Sequence, residues 1–353
     1  MSESMHADKP DEPAAVRLVN HQYLSGGPSN LRSLLELPAD DLELLDIARV
    51  NLLCAQGLPG ADGIDIKAVQ AQLDEWALLV EQETERHLYR LFHPDYRHRW
   101  NNSEARFRTE MLLQVLQEDC QVKYNEERRF DVDFTRSQDL FIHGLVPDHN
   151  DQINGGTCAS MPVIYAAVGR RLDYPINLST TSGHVFCRWD GLDRENPAWR
   201  ERFNFDGSGE GFGFFDDDHY RTWPRAITEH DIRENAYLQS LDARGEIALF
   251  LASRGHCLQD TGRLQEGAIA YRAARNYHPQ CGLYTTFFSQ LTLRMYGEPQ
   301  GQQYHFATDQ YPGESIIAQQ DADRRRRGND QTRRHSQNPT LHELEQDLLR
   351  RRR

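Results

Sequence analysis

Helical spacing of apolar residues dominates the chain and is interrupted by strand-like alternation. From Pro38, the positions Leu42, Leu45, Ile47, Ala48 and Leu52 fall on one side of a helix, with Asp40 or Asp41 as N-cap and Gly57-Leu58-Pro59-Gly60 as its end. A longer helix is predicted from about Asp65, where Ile66, Val69, Leu73, Trp76, Val80, His87 and Leu91 follow steps of three and four. His93-Pro94 ends it, because the residue before a proline is held out of the helical region. A third helix starts near Asn102 or Ser103 and turns Phe107, Met111, Leu112, Val115 and Leu116 inward. Phe130 to Phe134 alternates, Leu140-Phe141-Ile142 is apolar, and a polar loop runs from Pro147 to Asn154. Helical spacing then returns in Met161, Ile164, Tyr165, Val168 and Leu172.

The period next changes to two. Gly183 opens a strand over His184-Val185-Phe186-Cys187-Arg188-Trp189, and Arg202 to Asp206 forms another. In the latter, Phe203 and Phe205 share one face while Asn204 and Asp206 share the other. Beyond it, Asp216-Asp217-Asp218 reads as a helix start. Thr228 to Leu241 is a helix with Thr228 and Asp231 in a capping-box relation, and Gly282 to Tyr296 is a helix through Leu283, Phe287, Leu291 and Met295. The resulting class is α+β. Its expected parts are a disordered polar segment over 1–38, a helical subdomain over 39–125, a core over 126–226, a helical region over 227–299 and a mostly disordered basic tail over 300–353.

The chain has 353 residues and a net charge of -14, which opposes general nucleic-acid binding over its surface. The exception is the tail, with Arg324–Arg327 and Arg350–Arg353, where nucleic acid or an acidic partner has a place to bind. Within it, Pro339 to Leu349 carries Leu341, Leu344, Leu348 and Leu349 at helical spacing, an apolar face for docking. No apolar run reaches membrane-spanning length, and Met1 to His6 lack the features of a signal peptide, so no membrane association and a cytoplasmic location are expected. The six cysteines, at 54, 120, 158, 187, 257 and 281, are scattered, and in a reducing compartment they are free thiols.

One of them has a distinctive setting. Gly155-Gly156-Thr157-Cys158-Ala159-Ser160-Met161-Pro162 delivers Cys158 from a glycine loop to the start of an apolar helix, whose dipole favours a thiolate. The two glycines are expected to leave room for a substrate carbonyl to approach backbone donors. His184, 26 residues later, is the candidate base, and Asp206 the carboxylate that orients it, with Asn204 on the same face as the alternative. Taken singly, a cysteine on an apolar helix or a histidine opening a strand is most often structural. The combination is what points to chemistry. No cofactor is expected: Gly207 to Gly213 lacks the Gly-Lys-Ser/Thr ending of a phosphate loop. Nor is a metal: Asp216–Asp218 lacks EF-hand spacing, and zinc on Cys158 and His184 stays open as a third reading, against which stands only the lack of further close-spaced ligands.

The order Cys158, His184, Asp206 on a helix start and two strands resembles the transglutaminase-like superfamily, relatives of papain-type cysteine proteases. More narrowly, Gly156 to Val163 with Ser182-Gly183-His184-Val185-Phe186 is similar to a bacterial branch in which this core precedes a tetratricopeptide-like helical region. The motif-bearing likeness covers roughly residues 126–226, and the branch-level likeness about 40–300. It implies a Cys-bearing helix packed on an antiparallel sheet, with Cys158 as nucleophile, His184 as base, Asp206 as third member and Gln152, six residues upstream, as a side-chain oxyanion donor. The chain departs from the pattern in having Asp206-Gly207-Ser208 where many members have Asp-Pro-Thr. Over Ala248 to Cys281, residues Gly255, Gly262, Tyr271, Ala274 and Pro279 match one tetratricopeptide unit, with Gly267 in place of the usual alanine. Two functions follow from the resemblance and remain open at this point. One is a cysteine-dependent amidase, peptidase or transamidase acting on a protein or peptide. The other is an inert transglutaminase-like scaffold that binds a protein partner through its tetratricopeptide-like helices.

Overall fold

The computed structural model describes residues 27–129, 132–147, 152–208 and 212–297. The proposed basic tail, residues 1–26 of the polar N-terminal segment, Phe130 and Asp131, and Gly209 to Gly211 lie outside them. The N-terminal helices are α1 (Leu31–Leu35), α2 (Ala39–Leu42), α3 (Ile47–Ala55), α4 (Ile66–His87), α5 (Tyr89–Phe92) and α6 (Glu104–Gln114). The polar segment therefore does not run unstructured to residue 38. Asn30 and Ser33 cap α1 reciprocally, and Leu34 is fully buried. The predicted helix from Pro38 is two helices, and its effective cap is Asp46 rather than Asp40 or Asp41: the Asp46 carboxylate accepts from the Ala48 N–H at 2.9 Å. Asp65 and Ser103, near which the two helices are expected to start, cap α4 and α6.

The helix after Cys158 is α7 (Met161–Arg171), and every residue in it except Arg170 is buried. The sheet follows as β1 (Ile176–Thr181), β2 (His184–Asp190), β3 (Arg202–Asp206) and β4 (Gly213–Phe215), antiparallel in that order. Neither β1 nor β4 carries a period-two pattern strong enough to be predicted. β1 joins β2 through Ser182 and Gly183, with Gly183 at φ 78°, a conformation that favours glycine. Cys187 pairs with Phe205, and Arg188 with Asn204. Val132 to Phe134 forms no strand despite its alternation.

The remaining helices are α8 (Asp217–Thr222), α9 (Glu229–Asn235), α10 (Ala243–Asp260), α11 (Leu264–Tyr277) and α12 (Gly282–Tyr296). Asp216 caps α8, and Thr228 and Asp231 form the expected capping box on α9. That helix stops at Asn235 rather than Leu241, because Ala236 turns left-handed and the Leu238 and Leu241 N–H groups are drawn to the Thr180 and Leu178 carbonyls of β1. α10 and α11 form a hairpin in which a Cβ on Gly255 would lie 2.4 Å from the Tyr271 ring, so glycine sets their close approach. Among the described residues no helix is long and apolar enough to cross a membrane.

One hydrophobic core runs from Leu34 to Tyr284 and includes α3, α4, α6, α7, the inner face of the sheet and α10. Burying α7 on all sides leaves two arginines at its C-terminal end to be neutralised. Arg171 meets Asp46 at 2.7 Å and Asp74 at 2.6 Å, and Arg170 meets Glu246 on α10. Gln70 on α4 donates to Asp46 at 2.9 Å, so a single carboxylate ties α3, α4 and α7 together. Burial opposes the charge on Asp46, but Arg171 and these hydrogen bonds hold its carboxyl below the usual range. Its stabilisation is therefore fully present above the ordinary carboxylate pKa and is lost as pH falls through the depressed value. Asp46→Ala, which strands Arg171, should cost about 3–5 kcal/mol in urea unfolding at pH 7. The difference between Asp46→Asn and the parent protein should shrink progressively below about pH 4.

Candidate active site

The loop before α7 is held from several directions. Gly155 N–H donates to the Gly144 carbonyl (3.0 Å), Gly156 N–H to Lys123 (2.9 Å), and the Gly156 carbonyl accepts from Asn125 N–H (2.8 Å). Thr157 Oγ1 donates to the Asp139 carbonyl at 2.7 Å and Ser160 Oγ to the same oxygen at 3.3 Å, while Ser160 Oγ also accepts from the Thr157 N–H. Met161 N–H reaches back to Thr157 at 2.9 Å, so Thr157 to Ser160 make a turn that runs directly into α7. Cys158 sits in that turn, three residues before the first helical residue.

The glycine pair works differently from expectation. A Cβ on Gly156 would lie 2.7 Å from Leu145 and from Ser160 Oγ, and Gly155 adopts φ 89°. Their N–H groups are already spent on backbone carbonyls. They let the loop pack tightly against its neighbours and do not open space for a substrate. Among the described residues, the Cys158 N–H donates to no acceptor. Cys158 is half-buried, whereas the other five cysteines are buried. Burial pushes the Cys54, Cys120 and Cys257 thiols up to about 12, which keeps them protonated and inert.

His184 begins β2 and Asp206 ends β3. With Cys187 opposite Phe205, Asp206 lies across from Phe186, diagonal to His184 on the same face of the sheet. The His184 Nε2 to Asp206 Oδ2 distance is 2.5 Å, and both side chains are almost wholly buried. The second carboxylate oxygen, Oδ1, accepts from the Ser208 N–H at 2.8 Å. Cys158 lies near enough to the imidazole to favour its charged form. With Nε2 taken by Asp206, Nδ1 is the ring nitrogen left to the sulfur. Burial alone would favour a neutral ring, yet Asp206 and Cys158 outweigh it and push His184 up to about 10.

The same register disposes of Asn204. It stands opposite Arg188, accepts from that guanidinium at 2.7 Å and donates to Asp217 at 2.8 Å. Its side chain is therefore committed away from His184, and Asp206 is the carboxylate that meets the imidazole. Gln152 is exposed on the loop before Cys158.

Other neighbours carry no signal in the local sequence pattern. Tyr124 bridges to Gly156 in parallel, and its phenol is pushed up by burial first and then by the adjacent Cys158. The Trp223 ring stands edge-on to His184 with centroids 4.7 Å apart, and Tyr220 lies nearly parallel to the imidazole at 6.1 Å. Both come from α8 and the residue that ends it. Tyr220 stacks in turn on Phe186 at 3.7 Å, which fixes that helix to the sheet. Among the described residues, no group of three or more His, Cys, Asp or Glu side chains is placed to hold a metal ion.

A scan of protein-family models, a search of curated proteins and a search of solved structures each found no match to this chain.

The charge on His184 gives a direct measurement. Its pKa is raised in the folded protein, so its stabilisation is fully present below about 6.5, the ordinary histidine value, and is lost as pH rises through the folded value. In Asp206→Asn the imidazole resonances should titrate at least about one unit lower than in the parent protein. The variant's stability should also vary less between pH 7 and pH 10.

Proposed function

We propose that the protein is a cysteine-dependent acyl-transfer enzyme of the transglutaminase-like type, acting on a peptide or side-chain amide. The observation that carries this reading is the imidazole of His184, hydrogen-bonded to a buried carboxylate and electrostatically coupled to a half-buried cysteine. A single inert histidine has no use for both partners, whereas a nucleophile, a proton carrier and an orienting acceptor need this order.

In the proposed cycle His184 Nδ1 holds the proton released by Cys158, and the sulfur attacks the amide carbonyl carbon. The carbonyl oxygen takes the negative charge, and the uncommitted Cys158 N–H is a donor beside it. When the C–N bond breaks, His184 returns the proton to the leaving nitrogen, which departs as ammonia or an amine and leaves a thioester on Cys158. Water or a second amine, deprotonated by the same imidazole, attacks the thioester; the first outcome is hydrolysis and the second transamidation. Throughout, Asp206 stabilises the imidazolium and fixes which ring nitrogen faces the sulfur. The hairpin of α10 and α11 with α12 supports a tetratricopeptide-like region that binds a protein substrate or partner, since Gly255, Tyr271 and Ala274 all lie in its interior.

A chloroacetamide-tagged peptide should label the native protein once, at Cys158, because the other thiols are buried. His184→Ala should slow labelling at pH 7 at least about tenfold, and Asp206→Ala by a smaller factor. Equal rates in all three proteins would reject a working cysteine site and favour an inert scaffold.

A further inference from the structure

Asp206 is followed by Gly207, the residue type with the greatest backbone freedom, so a carboxylate that must hold an imidazole stands next to a hinge. The Gly207 carbonyl is nevertheless pinned from two sides. Tyr165 Oη donates to it at 3.2 Å and Gln117 Nε2 at 3.3 Å, and Gln117 Nε2 also donates to Tyr165 Oη at 2.9 Å. These contacts join residues 42 and 90 positions apart. Two donors match the two lone pairs of one carbonyl oxygen. The fit is close enough to require glycine: a Cβ on residue 207 would lie 2.6 Å from Tyr165 Oη and 2.9 Å from Gln117 Nε2.

Both donors come from places with a reason to be there. Tyr165 is one turn into α7, the helix that begins just after Cys158, and is fully buried. Burial holds its phenol above the ordinary range, so it remains a donor. Gln117 lies in a widened turn, Val115–Asp119, at the end of α6, where the Cys120 N–H reaches back five residues to Val115 at 3.0 Å. Such π turns are rare and concentrate at functional sites.

We propose that Tyr165 and Gln117 are positioning residues that hold the Asp206 carboxylate on His184 through the Gly207 carbonyl. The role deepens the acyl-transfer reading and rests on it for any effect on turnover. α7 then sets both ends of the constellation, the cysteine through its first turn and the aspartate through Tyr165.

The test compares Tyr165→Phe and Gln117→Met with the full-length parent, following the His184 titration by NMR, the Cys158 labelling rate and thermal unfolding. Tyr165→Phe keeps the ring packing and removes only the donor; Gln117→Met acts at a half-buried site and serves if the first variant folds poorly. Each should lower the His184 midpoint by about half a unit and slow labelling at pH 7 about threefold. A purely structural role would lower the unfolding temperature and leave the His184 midpoint in place, and that result overturns the proposal. Asp206→Asn separates the two levels. If it shifts His184 while the other variants do not, only the positioning role fails; if it leaves His184 unmoved, the Cys-His-Asp reading fails and the positioning role with it.

Discussion

A helix buried on every side is the constraint from which the rest of this structure follows. α7 gives its apolar residues to α3, α4, α6 and the sheet, so nothing polar at its ends can rely on bulk water. At its C-terminal end Arg171 lies between Asp46 and Asp74, and Arg170 lies on Glu246. At the other end Thr157 and Ser160 converge on the Asp139 carbonyl. Each partner comes from a different part of the chain. Fixing α7 therefore fixes the N-terminal helices, the loop before Cys158 and α10 at once.

This arrangement explains how the cysteine can be both rigidly held and half-exposed. Its neighbours Gly156, Thr157 and Ser160 are buried and fully engaged, so Cys158 is placed by backbone geometry and not by side-chain packing of its own. The imidazole it meets is the opposite case. His184 is buried, and a buried charge is costly unless paired. Asp206 supplies the pair at 2.5 Å, while the Trp223 and Tyr220 rings lie beside the imidazole. Excluding water from an ion pair strengthens it, which is how a histidine this deep keeps its proton.

Much of the helical frame was legible because its signals are local. The apolar spacing from Ile66 and the caps Asp65, Ser103 and Thr228 act within a turn of the residues they organise, and the run from Gly282 to Tyr296 is a helix over that span. Misreadings arose where a distant partner overrode the local pattern. Asp46 caps α3 through the Ala48 N–H, but its contact with Arg171, 125 residues away, leaves no local signal. The helix from Thr228 ends early because β1 captures the following backbone. β1 itself has no clean alternation, since residues on both of its faces are buried.

The same division runs through the site. Local sequence determined that Cys158 precedes a helix, that His184 opens a strand, and that Asn204 and Asp206 share a face of the next one, since these depend only on backbone periods and caps. Which of those two acceptors meets the histidine was decided by strand register, which sets Asn204 against Arg188 and Asp206 diagonal to His184. Only the tertiary structure decided that Gly155 and Gly156 serve packing, and that Tyr124, Trp223, Tyr165 and Gln117 crowd the site. A contact between residues far apart in sequence leaves no periodicity in either segment; it exists once the core has closed and brought them within a few ångströms.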